Sequence, residues 1–263
     1  MQARHLFAAL AATFSLNAAQ AHMPFLLPSV FDVQPKSTIS VDAGFAEKLF
    51  LSEVQFGATP FSLATPAGTV LPFGEVHQFK TRTVAEQKLP DEKGTYRLSS
   101  GPRLGAIFRS WEVNGKTTVA RDPKEVMPEG GVMKSHYQSL SVSEAYVTAG
   151  APTPIKPYGK GLEIVPSTHP SDLFAGEKFN FSVHFDGKPQ ADQKVSIYRS
   201  PMDLQGQNSV DELSTDAQGD ISWAPAKPGI YMALVRHRAP APEGAAAPTY
   251  GYNYTLTFRV IAQ

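Results

Sequence analysis

Short stretches of alternating apolar and polar residues, rich in β-branched and aromatic side chains, recur along the whole chain, and no long 3.6-residue periodicity interrupts them. Gly, Pro, Asn and Asp break the pattern at close intervals. In the first half the pattern predicts strands over 37–41, 74–83, 94–99, 106–113, 116–120 and 140–147. Asn114-Gly115 between two of them is the side-chain signature of a two-residue type I′ hairpin. The second half gives strands over 162–165, 178–185, 194–199, 220–223, 229–238 and 250–260. Within 178–185, Phe179, Phe181, Val183 and Phe185 alternate with Asn180, Ser182 and His184, so one face is buried and the other wet. The expected fold class is all-β, with two tandem β-sandwiches of immunoglobulin-like type.

The N-terminus has a different grammar. Arg4 and His5 precede an apolar run from Leu6 to Leu16, followed by Ala19-Gln20-Ala21, the charged start, short apolar core and small-x-small site of a secretory signal peptide. Residues 1–21 are therefore expected to be removed on export, leaving a chain that is not embedded in a membrane, with the periplasm as its compartment. Residues 149–160 carry three prolines and read as a stiff, exposed connector. The expected units are the signal peptide 1–21, an N-terminal β domain 22–148, the linker 149–160 and a C-terminal sandwich 161–263. Residues 239–249, rich in Ala and Pro, are expected to form a long loop inside the last hairpin.

Composition narrows the chemistry. The chain of 263 residues has no cysteine, and its 24 basic and 24 acidic side chains balance. Thiolate metal sites, cysteine nucleophiles and disulfides are thereby excluded. A neutral chain offers no field for gathering nucleic acid, and none is expected as a partner. No GxSxG, HExxH, phosphate-binding GxxxxGK or strand-borne GxGxxG is present, so no enzyme activity is expected. Any metal must be held by nitrogen and oxygen.

Cleavage after Ala21 would make His22 the first residue. A terminal amine and the imidazole of the same residue can chelate one ion, and further imidazoles would complete a site suited to Ni, Co or Cu. Among the other histidines, His184 is expected on a solvated face, His169 in a turn, and His77, by parity with Phe79, in the core. His136 is expected to point inward near a strand end, and His237 to close a strand at the mouth of the Ala/Pro loop, the kind of place where sites are built. The expected metal set is His22, His136 and His237, with Tyr137, Tyr250 and Tyr252 as candidate neighbours and Trp111 and Trp223 as core residues.

Gly161-Leu162-Glu163-Ile164-Val165-Pro166, Phe174 to Phe179, Phe185-Asp186-Gly187-Lys188-Pro189, Thr215 to Gly219, Pro228-Gly229-Ile230-Tyr231 and Tyr254 to Phe258 resemble the DUF4198 family, as do Ala21-His22 and Leu26-x-Pro28. The resemblance implies a Gram-negative periplasmic protein without established catalysis, associated with nickel or cobalt uptake. It also implies that His22 and His237 match family histidines. The combined expectation is a periplasmic protein binding a divalent transition metal, with an inner-membrane transporter or an outer-membrane receptor as partner. Two rivals are a copper-dependent oxidative enzyme working from the terminal histidine and a structural or interaction module that needs no metal.

Overall fold

The computed structural model describes residues 22–120, 122, 124–200 and 209–263, and the signal-peptide expectation lies outside them. All regular structure among these residues is β. A first sheet is built from strands Met23–Pro28, Thr38–Ala46, Val54–Gln55, Glu75–Gln78 and Thr83–Lys88. It packs on strands Ser62–Ala64 and Gly94–Ser99 and on the end of Val132–Ala149, burying Leu26, Ile39, Leu63, Tyr96, Leu98 and Val147 between them. A small sheet formed by Leu162–Pro166, Phe179–Phe185, Lys188–Pro189 and Asp220–Trp223 packs on Lys194–Ser200, Gly229–Pro240 and Thr249–Val260. Phe179, Phe181, Trp223, Tyr231, Tyr254 and Phe258 fill that second core. The side-chain alternation within 178–185 thus does what a half-buried strand requires.

The two sandwiches are not separate beads. Val132–Ala149 of the first half and Thr249–Val260 of the second pair in parallel from Gln138↔Tyr250 to Ala145↔Thr257, so one eleven-stranded sheet runs through both. Met23 and Phe25 also pack on Met232 and Leu234, which face away from the second core. The segment between Ala149 and Leu162 has no strand and is mostly exposed. It is nonetheless tied down, since the Thr153 and Thr95 backbone N–H groups each donate to the other's hydroxyl at 3.1 and 2.9 Å.

Asn114 and Gly115 have φ of 50° and 74°, the paired positive values that a type I′ turn demands. Their hairpin, Arg103–Val113 with Lys116–Ala120, extends alongside the first part of Val132–Ala149. Leu104, Phe108 and Val119 are exposed on it, as are Val132 and Met133 on the adjoining strand. Several expectations need correcting. The single strand expected over 74–83 is the strand Glu75–Gln78 and the first residue of Thr83–Lys88, because the chain reverses between Phe79 and Arg82. His77 on that edge is exposed beside Glu75 rather than in a core, and Phe79 is exposed too. The strand predicted at 140–147 starts at Val132, which places His136 within a half-buried ladder opposite Arg109 instead of at a strand end. The last hairpin extends to Pro240 and restarts at Thr249, so its loop is only 241–248, with Ala247 buried.

His169 joins the halves. Its Nδ1 accepts the Ser171 backbone N–H at 3.1 Å, which assigns the proton to Nε2, 2.9 Å from the Thr95 hydroxyl. Burial lowers its pKa, partly opposed by Asp172, a hydrogen bond to the Thr153 backbone and Asp32. A folded-state value below the unfolded one means that the unfolded chain takes up the proton first, so this contribution is lost as pH falls below about 6.5. Thermal melts between pH 8 and 5 are expected to show a falling midpoint, and His169→Gln is expected to flatten that fall. An unchanged pH slope in the variant would count against the assignment.

Candidate functional site

Strand register explains the surroundings of His22. Met23 pairs with Ala46, so the next step along the antiparallel ladder sets His22 beside Glu47, while Phe45↔Val54 brings Glu53 back to the same end. His22 Nε2 lies 2.8 Å from Glu53 Oε2 and 3.9 Å from Glu47 Oε1, on a partly exposed rim. A carboxylate that accepts Nε2–H leaves Nδ1 as the nitrogen with a free lone pair. Nδ1 is also the ring nitrogen nearer the residue's own α-nitrogen.

His237 sits elsewhere. It alternates in step with Ala233 and Val235, which face the second core, whereas Met232 and Leu234 face Met23 across the other side of the sheet. Its Nδ1 is 3.2 Å from Gln193 Oε1, its ring is 4.6 Å from that of Phe185, and burial lowers its pKa. His22 and His237 therefore belong to opposite faces of the central sheet. His237 pairs with Tyr252, which pairs with Leu140, four residues along the strand from His136. Two strand spacings and four residues of rise separate those two backbones by roughly 16 Å. The structure does not bring the three histidines to one point, and among the described residues no group of three or more His, Asp or Glu is placed to hold a metal ion. Tyr137 stacks on Phe108 and carries the Arg238 guanidinium 3.8 Å above its ring, and Tyr250 packs edge-on against Tyr252. Trp111 and Trp223 are buried, as expected.

A cavity of about 580 Å³ lies where the two sandwiches and the connector meet. Its walls are apolar, from Pro60, Phe61, Pro72, Val142, Leu162 and Tyr252. Its floor is charged. Arg97 donates through Nε and Nη2 to Glu144 Oε2 at 2.9 and 2.6 Å, and the Tyr254 hydroxyl donates to the same oxygen at 2.6 Å. Glu163 lies 3.6 Å from Arg97 Nη2 and accepts the Tyr158 and Gly159 N–H groups at 2.7 and 2.8 Å. Glu144 and Glu163 are 3% and 1% exposed, which is rare for carboxylates and requires partners of this kind. Burial alone would lower the Arg97 pKa, but Glu144, Tyr146 and Tyr254 hold it well above the usual guanidinium value.

Sequence reasoning missed Arg97, Glu144 and Glu163. The available signal was a single charge inside each strand-like run, Tyr96-Arg97-Leu98, Ser143-Glu144-Ala145 and Leu162-Glu163-Ile164. In a two-period pattern such a residue reads as solvent-facing, and only the fused sheet closes over it.

Among solved structures the chain is similar to the Yersinia pseudotuberculosis adhesin InvE, at 13% identity and a TM-score of 0.24, covering 89% of this chain and 58% of that one. It is also similar to the D0-D1 domain of intimin, at 14% identity and 0.22, covering 89% and 96%. The Escherichia coli adhesin FdeC gives 12% and 0.26, covering 91% and 63%. The chain thus spans little more than half of InvE, and at such overlap the fold rests on the strands described above. No curated protein matches it. The profile of DUF4198, a domain of unknown function, matches residues 19–239. That span runs from just before His22 through Arg97, Glu144 and Glu163 to the end of the His237 strand, and the chain belongs to the DUF4198 family.

Proposed function

We propose that this protein is an exported, non-catalytic capture protein whose cargo is a transition-metal ion, Ni, Co or Cu, taken up at His22. One observation carries the reading: the Glu53 carboxylate lies on His22 Nε2 and leaves Nδ1 for an ion. Once Ala21 is removed, the freed amine and Nδ1 would close a six-membered chelate, with Glu53 orienting the ring as carboxylates commonly do for metal-bound histidines. Glu47, 3.9 Å from the same ring, adds negative charge beside a cation. His136 and His237 fall outside this arrangement, so the remaining ligands come from water or from a partner. An open, partly exposed site suits an ion that is to be passed on, and an inner-membrane transporter or an outer-membrane receptor as partner fits that use.

Calorimetric titration of the chain beginning at His22 with Ni, Co and Cu tests the reading. Binding tighter than micromolar is expected for at least one ion. His22→Ala is expected to abolish it, and Glu53→Gln to weaken it by roughly 10–100-fold. A chain with one glycine placed ahead of His22 moves the amine away and is expected to lose binding. Equal affinity in that extended chain would overturn the terminal chelate.

A further inference from the structure

The cavity between the sandwiches has a floor that tethers the connector and closes a buried ion pair, and it carries one carboxylate more than that pair uses. A buried ion pair needs one cation and one anion, yet the floor sets two carboxylates, Glu144 and Glu163, against the single guanidinium of Arg97. Both are almost wholly buried, where charges are weakly screened. All three hydrogen bonds to Glu144 fall on Oε2, and none of them uses Oε1. Phe61, Tyr252 and Tyr254 contribute aromatic rings to the lining of the same cavity. Lys160 also lines the cavity, but it is exposed, at the mouth where its charge is solvated.

We infer that this cavity is a binding site for an organic ammonium ion with an apolar body, its charged head toward Glu144 and its body against the aromatic and proline walls. Three features of the site select that class. The excess negative charge of the floor favours a cation over a neutral or anionic ligand of the same shape. Ring faces attract a desolvated cation, and the apolar walls take up the rest of the molecule. The volume of about 580 Å³ lies within the range that small organic ligands occupy and far exceeds what a bare metal ion needs. The site lies apart from the Glu47 and Glu53 rim and does not depend on how the N-terminus is processed.

The test uses three probes of nearly one shape: phenethylammonium, 2-phenylethanol and 3-phenylpropionate, titrated calorimetrically into the full chain. Phenethylammonium is expected to bind roughly tenfold more tightly than the alcohol, with the carboxylate weakest. Leu140 lines the cavity four residues along the strand from Glu144 and is only half-buried, so Leu140→Trp is expected to fill it and abolish binding while leaving the melting temperature near that of the parent. Lys160→Met is expected to tighten ammonium binding severalfold by removing a like charge from the mouth. The inference is overturned if the carboxylate binds as well as the ammonium, if none of the three binds, or if Leu140→Trp binds phenethylammonium unchanged.

Discussion

Arg97→Met is expected to destabilise the fold by about 3–5 kcal/mol, the scale observed when one partner of a buried ion pair is removed. Among the described residues the guanidinium is the only cation paired with Glu144 and Glu163, and methionine fills its volume without supplying a charge or a donor. Glu144 would keep the Tyr254 hydroxyl and Glu163 its two backbone N–H groups, so hydrogen bonding survives in part while two buried charges lose their counterion. Chemical denaturation should report the loss as a lower midpoint at an unchanged slope. Combining Arg97→Met with Glu144→Gln is expected to be less damaging than the sum of the two single changes, because the second removes one of the stranded charges. A loss below about 1 kcal/mol for Arg97→Met, the value typical of exposed pairs, would mean that the floor is far more hydrated than its burial implies.

Deleting residues 249–263 is expected to leave neither sandwich folded. Thr249–Val260 hydrogen-bonds to Gly229–Pro240 along one edge and to Val132–Ala149 along the other. It also supplies Tyr254, Leu256, Phe258 and Val260 to the second core, each at most 2% exposed. Burial of side chains of that size is worth roughly 1.5–3 kcal/mol apiece, so their joint loss rivals the 5–15 kcal/mol by which whole domains are stable. The first half would be left with a bare strand edge and with Met23 and Phe25 facing a weakened neighbour. Circular dichroism of the truncated chain should show no cooperative melt, and calorimetry of the intact chain should show one endotherm. Two separate endotherms in the intact chain would show that the halves are stable on their own and that the shared sheet couples them weakly.

Much of the architecture was legible because it is local. The alternation of Phe179, Phe181, Val183 and Phe185 and the Asn114-Gly115 turn each carry their structural outcome in a few adjacent residues. The parallel pairing of Gln138 with Tyr250 has no such signature, since nothing near either residue names the other. That missing link is why the charged cavity floor escaped sequence reading: Arg97, Glu144, Glu163 and Tyr254 come from four strands in both halves and meet only once the central sheet has formed. His22 was singled out through the leader expected over residues 1–21, which lie outside the described residues. Its Glu47 and Glu53 neighbours were not, because they depend on the register of Met23 against Ala46.

The central position of Thr249–Val260 also sets an order of events. Ser143 and Thr255, whose hydroxyls hydrogen-bond across the parallel seam at 2.8 Å, stand 112 residues apart in the chain. Contacts so remote are late and slow to form. A polypeptide that emerges N-terminus first, from a ribosome or through a translocation pore, therefore reaches its native state only after its final residues are free. Until then Val132–Ala149 waits without its neighbour, a long strand whose unpaired edge is open to the wrong partner.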